Sequence, residues 1–249
     1  MSRVYKCTTL DTNIYSGAMK AGPDGYYNNI ILGALDVYNS AGEYYAMADE
    51  VAALFDSSTG FMSKIESGYL KSEMGHPKMM PGEKPQAFLA RARRITEKNV
   101  CSFIKEIRLE TTTLKVAGKD KPIILIRGDV KPAGPHAQLI KDVLEDEHAN
   151  SAYSIRAFTS IETINGERVK VLSEVISFDW VTQPGIAMAN KFASVKRMST
   201  EDSEGFTTED HSVAIDLTHG FSTGEGIMCL EDFATGNIEV TVKREIIDW

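Results

Sequence analysis

The stretch SAYSIRAFTSIETINGERVKVLSEVISFDWVTQPG, residues 151–185, decides how this chain is read. Two alternating runs flank Asn165-Gly166. That dipeptide is a strong hairpin signal, because a two-residue type I′ turn needs positive φ at both central positions. Commitment to the turn fixes a register. Ile164 faces Glu167, each step back along one run matches a step forward along the other, and Ser154 stands opposite Ser177. Asp179 then falls two positions further along the same face. Diagonal neighbours of this kind lie roughly 7–8 Å apart, a gap that suits an imidazole bridging a hydroxyl and a carboxylate. Glu174, the other carboxylate of the return run, has the opposite parity and points to the other face. A bulge within the pairing would change this register.

A candidate imidazole lies upstream, in SEMGHPKMM at 72–80. Glycine opens backbone angles closed to other residues and proline restricts its predecessor, so His76 sits in a turn with little freedom of direction. Before it, NNIILGALDVYNSAGEYY (28–45) reads as a strand leading to a turn at Asn39–Gly42. YYAMADEVAALF (44–55) has helical spacing, and SSTGFMSKIESGYL (57–70) opens with serines able to cap a second helix. On this reading His76 directly follows a helical pair. After it, 99–116 and the apolar run 121–130 read as strands, the second well buried, and HAQLIKDVLEDEHAN predicts a helix of about four turns with Ile140, Val143 and Leu144 on one face.

The 249 residues, 43% hydrophobic, are enough to bury a substantial core. A formal net charge of −8 argues against general nucleic-acid binding, which needs clustered cations. The local basic run ARARRITEK (90–98) reads as a solvated face or a docking patch. Cys7, Cys101 and Cys229 are too scattered for a disulfide framework or a structural zinc site, which suits a reducing interior. The N-terminus has no apolar signal-like segment and no run approaches the roughly 18 apolar residues of a membrane span. The expectation is a soluble protein. From 197 the composition turns polar and acidic, so the chain divides into a domain at 1–196 and a linker with C-terminal extension at 197–249, either removable or completing the sheet.

A serine hydroxyl becomes a strong nucleophile when a base takes its proton and a third group holds that base in the right tautomer. Ser154, His76 and Asp179 supply those three types. Two plainer readings stand beside this one: a solvent-facing strand serine, and an aspartate capping a turn. A metal-dependent hydrolase could draw on His136, Asp142, Glu145 and His148, or on Asp210, His211, Asp216 and His219, but no ligand signature such as HExxH is present and a solvated acidic helix explains the first set. There is no phosphate-loop or dinucleotide signature, and neither a metal nor a cofactor is implied.

The blocks NSAGEYY, SGYLKSEMGHP, IRGDVKPAGPHAQLIKDVLE, SAYSIRAF and FDWVTQPG, in order over about residues 28–190, together resemble the prohead (capsid-maturation) proteases of tailed bacteriophages, especially the T4-like branch, a family related in fold to the herpesvirus assemblins. The resemblance implies an α+β fold, mainly an antiparallel β-barrel-like core with flanking helices. It implies a serine endopeptidase with His76, Ser154 and Asp179 as catalytic residues, the same acid that the hairpin register selects. It also makes Arg156 a candidate for oxyanion stabilisation, through its backbone or a bound water, or for binding a substrate acid. The implied partners are scaffold or core proteins and the major capsid protein as substrates, and further copies of the chain. No membrane and no specific nucleic acid are involved. The implied setting is the immature prohead in the host cytoplasm, with cleavage commonly after glutamate. Glu204-Gly205 and Glu225-Gly226 are conceivable self-cleavage sites. The rival is an inactive structural core protein with the same fold.

Overall fold

The computed structural model describes residues 3–10, 17–116, 119–164, 166–199, 206–215 and 228–229. Eleven strands are described: β1 (Arg3–Leu10), β2 (Tyr27–Leu35), β3 (Val37–Tyr38), β4 (Tyr44–Tyr45), β5 (Lys71–Glu73), β6 (Val100–Val116), β7 (Lys119–Pro132), β8 (Ala152–Ile164), β9 (Glu167–Val181), β10 (Phe206–Ile215) and β11 (Met228–Cys229). The helices are α1 (Asp49–Leu54), α2 (Gly60–Glu66), α3 (Pro85–Ala92), α4 (Ala137–Glu145) and α5 (Lys191–Ser199).

Two long antiparallel hairpins carry the fold. In the first sheet the strand order is β1-β10-β6-β7-β2, with β5 added on β6, and in the second it is β11-β8-β9-β4-β3. The side chains between them form a core that includes Tyr27, Leu32, Ile104, Ile126, Tyr153, Ile155, Phe178 and Trp180. Burial of such a face is the main favourable term in folding, at about 25 cal/mol per Å² of apolar surface. The short strand β5 joins the sheets. It pairs with β6 on one side, while its continuation Met74 bridges Trp180 of β9 and Ser177 Oγ donates to the Lys71 carbonyl at 2.6 Å. The result is the α+β architecture with a curled, barrel-like antiparallel core that the sequence led us to expect.

Local differences from the sequence reading have physical causes. Residues 44–45 form a strand, and α1 begins only at Asp49, because Asp36 at φ 62° turns its carboxylate to accept from the Met47 N–H and holds the chain out of the helix. The cap of α2 is Thr59, accepting from the Met62 N–H, and neither Ser57 nor Ser58. His76 follows β5, so the helical pair does not lead straight into its turn. Helix α4 has 9 residues, short of four turns, because Asp146 leaves helical geometry at ψ 129°. Its last carbonyls are not orphaned: buried Lys191 donates to Val143 O at 3.0 Å and to Asp146 O at 2.5 Å. Burial lowers the Lys191 ammonium below the usual lysine range. No helix among the described residues is long and apolar enough to cross a membrane.

Candidate active site

The β8–β9 hairpin closes with Ile164 paired to Glu167 and Gly166 at φ 82°, the geometry expected of the turn; Asn165 lies outside the described residues. Pairing then follows the expected register as far as Thr159↔Leu172. Two irregularities follow, one between Thr159 and Phe158 and one between Ala157 and Arg156. Each adds an unpaired residue on β9, so Ser154 faces Asp179 directly where the uninterrupted register gave Ser177. One bulge would have turned Asp179 away from Ser154. Two bring it back to the same face and two positions closer, directly opposite Ser154. Glu174 sits between the bulges, where it forms an exposed pair with Arg93 at 3.0 Å.

His76 reaches this place from the turn after β5. Gly75 has φ 73°, a region that favours glycine, and its N–H donates to the Trp180 carbonyl at 2.8 Å, which ties the turn to the strand of Asp179. The loop beyond is pinned as well. Glu83 accepts from Arg91 and from the Met80 N–H, Arg91 also holds the Lys78 carbonyl at 2.7 Å, and these donors bring the Glu83 carboxyl down to about 2.

Within the site, His76 Nδ1 lies 2.8 Å from Asp179 Oδ2, with the imidazole 4% and the carboxylate 0% exposed. A carboxylate facing Nδ1 makes that nitrogen the donor, which leaves the lone pair of Nε2 available as a base. Nε2 is buried without a hydrogen-bond partner, so a bond between it and Ser154 is not made. Ser154 itself is 8% exposed, on the strand directly beside Asp179. In apo enzymes this bond is often long and tightens only with substrate bound.

Asp179 has more partners than His76. Its Oδ1 accepts from the Glu73 N–H at 3.1 Å and from an Arg156 terminal nitrogen at 2.9 Å, and its Oδ2 takes Arg156 Nε at 2.6 Å besides His76. The guanidinium of Arg156, wholly buried, is saturated. Beyond the two bonds to Asp179 it donates to Glu73 Oε2 at 3.0 Å, and to the Ala92 and Arg94 carbonyls at 3.5 and 3.2 Å, where α3 ends. Those carbonyls carry the negative end of the helix dipole, which suits a cation. Glu73, also buried, accepts in addition from the Thr96 N–H.

Sequence reasoning did not single out Glu73. Three residues before His76 in a broken stretch, it looks like any exposed acid, and the signal that places it inside is tertiary: a three-residue strand wedged between two sheets. In the basic run at 90–98 two of the four cations are paired, Arg91 with Glu83 and Arg93 with Glu174, and Arg93 also lies over the Phe158 ring at 4.3 Å. Glu145 accepts from the Tyr27 hydroxyl at 2.7 Å, and Asp142 from Gln138 at 2.6 Å. Among the described residues no cluster of histidine, cysteine or carboxylate side chains could hold a metal ion. The side chains of Asp210, His211, Asp216 and His219 lie outside the described residues, as do Glu204-Gly205 and Glu225-Gly226.

The site thus joins a buried carboxylate–imidazole pair to a serine on the neighbouring strand, residue types that also occur together in hydrolases. Comparison with known sequences gives the family: residues 5–224 match the Peptidase S80 family, and the chain belongs to it. A curated relative, "Capsid maturation protease" of Pseudomonas phage phiKZ, is 31% identical over 198 residues, covering 78% of this chain and 71% of the relative. No solved structure matches.

Proposed function

We propose that this chain is a serine endopeptidase of capsid maturation, acting inside the immature phage head on scaffold or core proteins, on capsid protein and on itself. The observation that carries the reading is the 2.8 Å contact of His76 Nδ1 with buried Asp179, with Nε2 left free on the far side of the ring. In this mechanism His76 Nε2 takes the Ser154 proton as Oγ attacks the scissile carbonyl. The imidazolium then gives that proton to the leaving amine, and a water repeats the sequence to release the acyl group. Asp179 holds the tautomer and stabilises the imidazolium. Arg156 serves through its side chain as the clamp on Asp179. Its main chain, directly or through a water, is the candidate for the oxyanion, and donors of that kind are typically worth about 10²–10³ in rate.

The membership in a peptidase family and the name of the phiKZ relative support both the activity and the setting. The rival, an inactive core protein with the same fold, draws support from one observation: the Ser154–His76 bond is not made. Intact-mass spectrometry of the wild type and a Ser154→Ala variant, each incubated alone and with a scaffold protein from the same source, separates the two. Fragments that require Ser154 are the expected result. Identical, intact samples would favour the structural protein.

A further inference from the structure

A carboxylate bound side-on by an arginine is a weak partner for an imidazole, because the two charges cancel where the imidazolium has to form. Asp179 is in that position. Arg156 holds both its oxygens, at 2.6 and 2.9 Å, in a site where the two side chains are fully buried and solvent screens little. A site of this kind needs a second negative charge, and Glu73 stands on the other flank of the same guanidinium at 3.0 Å, only 2% exposed. Donors from Arg156 and the Thr96 N–H meet its two oxygens.

We propose that Glu73 is a positioning residue for the catalytic base: its buried charge offsets Arg156, so that Arg156 fixes the geometry of Asp179 without cancelling its pull on His76. With neutral His76 the cluster of Glu73, Arg156 and Asp179 carries one net negative charge. Protonation of the imidazole makes it neutral, so the fold is built to accept the proton that Ser154 releases.

The other ionisable groups around this cluster do not supply that charge. Cys101 on β6 is pushed up to about 12 by burial and stays a neutral thiol, burial likewise pushes the Tyr153 phenol up, and Arg91 on α3, which lies within electrostatic reach of Glu73, has its own partner in Glu83. Asp179 on β9 is the charge in contact with His76, Arg156 on β8 stands behind it, and Glu73 on β5 is held on the same guanidinium.

The inference rests on the serine-peptidase reading, and the test separates the two. Glu73→Gln keeps the side-chain volume and one acceptor but removes the charge. For a peptide taken from a mapped cleavage site, it lowers the plateau of kcat/KM about tenfold and moves the acid limb, set by the imidazole, to lower pH by about one unit. NMR titration of His76 in the Ser154→Ala background, with and without Glu73→Gln, shows the same downward shift independently of activity. Glu73→Asp, which keeps the charge, leaves the titration within about 0.3 unit of the parent. A purely structural role would lower the plateau and leave the limb in place. Should Ser154→Ala still cleave, the nucleophile assignment falls and the inference with it. Should Ser154→Ala be inert while Glu73→Gln leaves both the limb and the NMR titration unmoved, the role of Glu73 alone is overturned. If Glu73→Gln does not fold, a full-unit shift in Glu73→Asp overturns it equally.

Discussion

Two arginine–carboxylate clusters sit on the long hairpins of this protein, one in each sheet, and they are built to opposite ends. In the first sheet Arg108 and Arg127 gather Asp129, Glu106, Glu110 and the backbone of Asn29, with Arg108 and Glu110 more than a third exposed at the sheet surface. In the second, Arg156 gathers Asp179 and Glu73 with no exposure to speak of, and a histidine is added on one side. In the first, every pair has at least one partner open to water and salt, although Arg127 and Asp129 are themselves buried, so its pairs lie nearer to surface salt bridges in energy. The second is dry, and each of its charges depends on the others. Within it one polar atom is left over, His76 Nε2, beside an arginine whose donors are all matched.

The largest effect that would sharpen the contrast is on rate. His76→Ala and Ser154→Ala are each expected to reduce peptide cleavage by about 10³-fold or more, with the melting temperature close to that of the parent, while Arg108→Met leaves cleavage within about twofold. A loss of cleavage on removing Arg108 would break the comparison.

Stability comes next. Arg156→Leu strands two buried carboxylates and is expected to cost about 3–5 kcal/mol in urea unfolding, whereas Arg108→Met costs about 1 kcal/mol or less. Equal costs would mean that burial does not distinguish the clusters. The salt dependence should differ too: added salt weakens the contribution of Arg108 and leaves that of Arg156 nearly unchanged.

The smallest effect concerns the dryness of the wall beneath the site. Cys101 is buried, its thiol raised to about 12 by desolvation first of all. The raised value means that the folded state keeps its proton between the ordinary thiol range and pH 12, and the associated stability is full below that range and lost as pH rises through it. At pH 8 in the native protein, peptide mapping after iodoacetamide treatment should find Cys101 unlabelled, with labelling only in denaturant. Rapid native labelling would show that water reaches the cluster.

The sequence made the second cluster half legible. The Asn165-Gly166 dipeptide and the alternation on either side of it identified the hairpin, and parity singled out Asp179 over Glu174. The two bulges carry no local mark: nothing in Ala157-Phe158 or in Ser173-Glu174-Val175-Ile176 announces an extra residue, because bulges are selected by how the sheet must curl around its core. The direct pairing of Ser154 with Asp179 was therefore out of reach. Glu73 and the carbonyls at the end of α3 were invisible for a different reason. They meet Arg156 across the barrel, and no short-range spacing encodes such a meeting.

The stitching of the His76 turn also has a consequence for motion. Loops usually exchange their amide hydrogens quickly, yet the N–H groups of Glu73, Met74 and Gly75 donate to Asp179 Oδ1, the Asn99 carbonyl and the Trp180 carbonyl. Hydrogen exchange at these three amides is therefore tied to the separation of β5 from both sheets, a subglobal opening and not the fraying of a loop. Under the proposed function, with copies of the chain confined together, the segment that carries His76 would offer no locally unfolded stretch for a neighbouring copy to cut.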